Sequence, residues 1–227
     1  MKEVQISKKE LAKIIDSTNV RSTATRSEIE TLCREAIKNR FGCVCVNPVY
    51  VGLAASALKK SAVRLSSTVG FPFGVSLPET KALEGAKAVE GGANELDMVM
   101  NLSMLKSGEQ ALVKQDIAAV VDLKRLLREL KVKVIIETGL LTPSEKVTAC
   151  KLVREAGADF VKTSTGFFGK KATTEDVRLM RITVGDNVGV KAAGGIRNYD
   201  DAVAMIEAGA NRIGTSSAVA VIRGAPS

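Results

Sequence analysis

The sequence predicts an α/β fold, a (β/α)8 barrel of eight parallel strands, each followed by a helix, with a short helix ahead of the first strand. Three observations predict it. Strand-like and helix-like stretches alternate along the whole chain, which demands parallel strands, because parallel neighbours need a crossover long enough to hold a helix. Eight such units fit into 227 residues, the small end of the range for this barrel. Polar residues recur at the C-terminal ends of nearly every strand, where a barrel builds its site, and no Gly-x-Gly-x-x-Gly follows the first strand, as an open doubly wound sheet would show. No Pro/Gly-rich linker or composition shift marks a second domain, so residues 1–227 read as one.

The elements follow in order. Residues 7–15 form an amphipathic helix with Leu11, Ile14 and Ile15 as apolar positions, running into the first strand at Ile15-Asp16-Ser17-Thr18. Thr25-Arg26-Ser27-Glu28 is a capping box ahead of a helix carrying Ile29, Leu32, Cys33, Ala36 and Ile37. Gly42 to Val46 is a buried strand stopped at Asn47-Pro48, and a helix near 50–60 leads to the strand 63–69, which stops at Gly70. Pro78-Glu79 opens a helix ending at Gly91-Gly92, and Glu95 to Met100 is the fourth strand. One long helix is expected from about 109 to 130, with Leu112, Ile117, Val120, Val121, Leu126 and Leu127 on its apolar face. Then come the strand 132–137, a helix opened by Thr142-Pro143-Ser144, the strand 159–163, a helix near 174–184, the strand 188–191, a helix near 198–208 and the last strand from Arg212.

Composition bounds the function. Apolar residues make up 45% and charged residues 26%, an ordinary globular balance. The net charge of +8 is spread over helices without a basic run, and with two Tyr, six Phe and no Trp the chain offers little to stack bases, so no nucleic-acid partner is expected. Cys33, Cys43, Cys45 and Cys150 fit neither a disulfide framework nor a zinc site and read as reduced, small apolar residues. The chain has no histidine, which removes Ser-His and Cys-His nucleophile systems and leaves Lys, Asp, Glu, Tyr and Cys for proton transfer. The start, Met1 to Ile6, lacks a signal-peptide apolar core and no apolar run approaches 18 residues, so a cytoplasmic protein without membrane contact is expected.

Chemistry concentrates at the strand ends. In a barrel, Asp16 and Thr18, Cys45 and Asn47, Ser67 and Thr68, Asp97 and Asn101, Glu137 and Thr138, Lys162 to Thr165, Lys191, and Ser216 with Ser217 converge on one mouth, though alternation turns only some of them inward. Lys162 and Lys191 end neighbouring strands about 30 residues apart, one βα unit. Burial and a second ammonium close by disfavour protonation of the first, and a neutral amine is what attack on a carbonyl requires. A salt-bridged surface pair is the plain alternative. Asp97, between Leu96 and Met98, needs a cationic partner, and a lysine across the barrel supplies one, whether for catalysis or as a core ion pair. Two glycine-rich turns, Ala193-Gly194-Gly195 after strand seven and Gly214-Thr215-Ser216-Ser217 after strand eight, occupy the places where barrels bind phosphate.

These segments resemble the class I deoxyribose-phosphate aldolase family. The resemblance rests on Ile15 to Thr18, Glu95 to Val99, Lys133 to Gly139, Gly157-Ala-Asp-Phe-Val-Lys162-Thr-Ser-Thr-Gly166 and Val190-Lys191-Ala-Ala-Gly-Gly-Ile-Arg197, in order over almost the whole chain. It implies a TIM barrel, with Lys162 forming the Schiff base, Lys191 tuning it and Asp97 taking part in proton transfer through water. It further implies that Asp16, Thr18 and Thr165 contact substrate and that Gly194, Gly195, Gly214, Ser216 and Ser217 hold phosphate. The reaction expected is reversible cleavage of 2-deoxy-D-ribose 5-phosphate to D-glyceraldehyde 3-phosphate and acetaldehyde, without metal or cofactor, by a homo-oligomer, dimer or tetramer. The residues after Asp97, Phe167 after Gly166, and the short run beyond Ser217 depart from some members, so a shortened tail is expected. A Schiff-base barrel aldolase for another sugar phosphate, or a non-catalytic barrel that binds a phosphorylated metabolite, are the alternatives the residues leave open.

Overall fold

A computed structural model describes residues 6–226. The first five residues of the amino-terminal stretch read above lie outside the described residues. Eight parallel strands close in sequence order: β1 (Ile15–Asn19), β2 (Cys43–Val46), β3 (Arg64–Val69), β4 (Glu95–Val99), β5 (Lys131–Ile135), β6 (Phe160–Lys162), β7 (Gly189–Ala193) and β8 (Arg212–Thr215), with β8 pairing back to β1. Helices α1 (Lys8–Ile14), α2 (Arg26–Asn39), α3 (Val51–Leu58), α4 (Pro78–Glu90), α5 (Leu102–Lys106), α6 (Gln110–Val121), α7 (Pro143–Glu155), α8 (Thr174–Val184), α9 (Tyr199–Glu207) and α10 (Ala218–Arg223) surround them. The fold is the (β/α)8 TIM barrel that the alternation of elements predicts.

Local sequence sets the helix starts. Ser7, Thr25 and Thr142 each cap a helix while Glu10, Glu28 and Glu145 reach back to the cap amide, three reciprocal capping boxes. The structure differs from the sequence reading in one stretch: the long helix expected over 109–130 is shorter and has a neighbour. Asn101 Oδ1 accepts from the Met104 amide and starts α5, and Gly108, at φ 79°, separates it from α6. Past Val121 the chain tightens into a 3-10 turn over Asp122–Arg125, because it must return to the barrel floor by Lys131. Leu123 and Leu130 are buried there, whereas Leu126, placed on the apolar face by periodicity, is 55% exposed.

Alternation along each strand divides the core into two layers. On β4, Leu96 and Met98 pack outward with Val132, Val134, Val190 and Ala192 under the helices, the apolar layer that stabilises the fold. Truncating one such buried leucine costs on the order of 2–5 kcal/mol. The alternate residues face the axis, and they are charged: Glu95 and Asp97 on β4, Lys133 on β5, Lys162 on β6, Lys191 on β7, Arg212 on β8 and Asp16 on β1. Barrel interiors are ordinarily filled by branched apolar side chains. Here the axis holds ion pairs.

Candidate active site

Asp97 is the hub. Its Oδ2 accepts from both Lys162 Nζ and Lys191 Nζ at 2.7 Å, and its Oδ1 accepts from Lys133 Nζ at 2.7 Å and Ser66 Oγ at 2.8 Å. Parallel pairing places Lys162 opposite Lys191 and Asp97 opposite Lys133, which is why these side chains meet. From Asp97 the pairs run in a closed ring. Lys191 donates to Asp16 Oδ2 at 2.5 Å, Arg212 donates to Asp16 Oδ1 at 2.9 Å and to Glu95 Oε2 at 2.8 Å, and Lys133 lies 2.6 Å from Glu95 Oε2. Arg64 hangs from the ring at Glu95, 2.6 Å away, with its Nε–H not aligned for a hydrogen bond.

The ring fixes protonation. Burial by itself would raise the Asp16 carboxyl, but Lys191, Arg212 and Lys133 outweigh it and hold it at about 2. Burial opposes the charged form of Asp97 too, and Lys133, Lys162 and Lys191 overcome it, so this carboxyl lies well below the usual carboxylate range. Burial works against a charged Lys191, yet Asp16 and Asp97 raise its pKa above the ordinary lysine value, and Asp97, Glu95 and Asp16 do the same for Lys133. Lys191 is therefore an ammonium clamped between two carboxylates. Cys43 and Cys45 also point inward, but burial, then Asp97, pushes the Cys45 thiol up to about 11, and a thiol at that value is not a nucleophile near neutrality. All four cysteines are free and buried. Asp16, Cys43 and Glu95 bring donor atoms within 4.8 Å of one another, but both carboxylates are already neutralised by Arg212 with Lys191 and Lys133.

Above the ring, at the C-terminal ends of the strands, lies a cavity of about 530 Å³. Of the three lysines paired with Asp97 only Lys162 lines it; Lys191 and Lys133 are fully buried below. Thr18, Thr165, Gly194, Gly195, Gly214 and Ser216 line the same space. Asp16 does not reach it, and Ser217 lies outside the lining with its amide donating to Thr215 Oγ1 at 2.9 Å. Gly214 stands inside β8 rather than in a loop: a methyl there would lie 3.0 Å from Lys191 Cε and 2.9 Å from Ala193 Cβ, so its missing side chain lets Lys191 cross to Asp16. Glu137, in the left-handed region at φ 47°, accepts from the Thr165 amide at 2.8 Å and hydroxyl at 2.6 Å, pinning the loop after Lys162. Thr163 bonds both the amide and the carbonyl of Ala193, tying the ends of β6 and β7 together.

Sequence reasoning gave no role to Lys133, Arg212, Glu95 or Ser66. The signal was present: Lys133 interrupts an apolar strand as Lys162 does, and Glu95 and Arg212 stand two residues before Asp97 and Gly214, on the same face.

Fold and site together define a closed parallel barrel with one lysine open to its mouth above a carboxylate–lysine network. The DeoC/LacD family aldolase model matches residues 11–223, and the chain belongs to that family, which makes it a lyase. It is 55% identical over 223 residues to the deoxyribose-phosphate aldolase of Thermococcus kodakarensis, covering 97% of this chain and 99% of that one. It is 56% identical over 218 residues to the deoxyribose-phosphate aldolase of Methanothermobacter thermautotrophicus, covering 96% of each. Among solved structures, the tetrameric deoxyribose phosphate aldolase from Aeropyrum pernix superposes with a TM-score of 0.89 at 38% identity, over 96% of this chain and 91% of that one. Among the described residues no helix is long and apolar enough to cross a membrane.

Proposed function

We propose that this chain is a class I aldolase that reversibly cleaves 2-deoxy-D-ribose 5-phosphate to D-glyceraldehyde 3-phosphate and acetaldehyde through a Schiff base on Lys162. The observation that carries the reading is the exposure of one lysine to the cavity while its neighbour is sealed beneath it on the same carboxylate oxygen. Lys162 attacks C1 of the open-chain aldehyde after giving up a proton, and loss of water leaves an iminium, which serves as the electron sink.

 Acetaldehyde carries two carbons and the phosphorylated product three, so the bond that breaks is C2–C3. The C3 hydroxyl gives up its proton, the C2–C3 electron pair moves into the iminium to form an enamine, and C3 becomes the aldehyde of glyceraldehyde 3-phosphate. Protonation of the enamine at C2 and hydrolysis of the resulting iminium release acetaldehyde and free Lys162.

Asp97 relays these protons through water, and Lys191, held as an ammonium, supplies positive charge beside the forming iminium nitrogen and keeps Asp97 in place. Asp16 positions Lys191 from below. Thr18 and Thr165 contact the sugar, and the backbone at Gly194 and Gly195, with Ser216, receives the phosphate at the mouth. Residues 1–227 act as one domain, and the enzyme works in the cytoplasm as a homo-oligomer, a reading supported by the four reduced cysteines and by the tetrameric relative. The test is a cleavage assay with 2-deoxyribose 5-phosphate beside other aldose and ketose phosphates. Preferred turnover of the 2-deoxy sugar supports the assignment, and preferred turnover of another sugar phosphate sinks it.

A further inference from the structure

We infer that the opposite end of the barrel carries a second binding site, for a polyphosphorylated small molecule with an apolar body, of nucleotide type. The cavity there has a volume of about 870 Å³, larger than the one at the mouth, and lies under the N-terminal ends of the strands between α1 and the end of α2. Lys8, Lys9, Lys13, Lys38 and Arg40 line it, and among the described residues no aspartate or glutamate does. Glu10 on α1 offsets Lys13, but Lys8, Lys9, Lys38 and Arg40 make no ion pair with a described residue. Like charges gathered around one concavity repel each other and focus a positive field into it, an arrangement that a multiply charged anion relieves. Arg64 and Arg212 close the floor, where Glu95 and Asp16 already hold them.

A second observation points the same way. Arg40 ends α2 in the left-handed region, at φ 56° and ψ 43°. Glycine takes that position without strain and an arginine does not. The strained backbone keeps a guanidinium at the rim of the cavity. The remaining wall is apolar, with Phe41 and Val63 buried and Ile37 41% exposed, a surface on which a nucleobase would lie while the phosphates meet the cations.

The test is calorimetric titration of the full chain with adenosine triphosphate, inorganic tripolyphosphate and adenosine at low salt. Wild type is expected to bind one equivalent of the nucleotide saturably, more tightly than tripolyphosphate, with adenosine alone weakest and all binding weakened by salt. Lys9→Glu with Lys38→Glu is expected to raise the dissociation constant at least about tenfold. Arg40→Gly relieves the strained backbone, so it is expected to weaken binding while leaving the thermal midpoint unchanged or higher. Absence of saturable binding would overturn the inference, as would binding indifferent to these substitutions. Tripolyphosphate binding as tightly as the nucleotide would overturn the apolar half of the site.

Discussion

Replacing Asp97 by Asn should destabilise the fold far more than replacing Lys133 by Met, although both side chains are fully buried. The network gathers five cations, Lys133, Lys162, Lys191, Arg212 and Arg64, around three carboxylates, Asp16, Glu95 and Asp97. Removing the charge of Asp97 leaves Lys162 without its carboxylate and strips one from Lys133 and Lys191, the situation in which breaking a buried pair costs about 3–5 kcal/mol. Removing Lys133 takes away a surplus cation. Asp97 keeps Lys162 and Lys191, Glu95 keeps Arg64 and Arg212, and methionine fills most of the vacated volume, so the loss should stay within about 1–3 kcal/mol. Urea unfolding at neutral pH, read from midpoints at unchanged slope, measures both. A Lys133→Met loss equal to or above that of Asp97→Asn would refute the charge accounting.

Other predictions follow from the same geometry. Asp16 has a depressed folded pKa, so its contribution to stability is complete above its unfolded value of 3.8 and disappears as pH falls toward about 2, a loss of about 2 kcal/mol that Asp16→Asn should remove from the acid limb of a stability–pH curve. Gly214→Ala places a methyl 3.0 Å from Lys191 Cε and should lower kcat about tenfold or more while leaving Lys162 able to form an adduct; unchanged kcat would remove Gly214 from the account. Ser216→Asp puts a negative charge in the proposed phosphate cradle and should raise KM for the phosphorylated sugar with little effect on non-phosphorylated deoxyribose, and equal effects on both substrates would move the phosphate elsewhere.

The barrel was legible because period-two and period-3.6 stretches alternate eight times with their caps written in the sequence, as at Thr25-Glu28 and Thr142-Glu145. The ends of the 109–130 helix were not, since apolar spacing cannot report where a chain must turn back to meet β5, and Asn101 reads equally as a strand end or a cap. Lys162, Lys191 and Asp97 stood out as isolated charges in apolar strands, and the structure brings them together. Lys133 carried the same signal. What alternation alone could not give is depth along the axis: it turns Asp16 and Thr18 to the same side of β1, but only Thr18 reaches the cavity while Asp16 lies one layer below against Lys191 and Arg212. Gly214 looked like a phosphate-loop glycine, and its place inside β8 against Lys191 depends on strand register, which no single segment encodes.

The central claim is that Lys162 is the nucleophile. Incubating the protein with acetaldehyde, reducing with borohydride, digesting and locating the two-carbon adduct by mass spectrometry tests it most directly. An adduct is expected on Lys162, absent from Lys162→Leu and formed nowhere else in the barrel. An adduct on Lys191 or Lys133, or none in a folded sample, would contradict it.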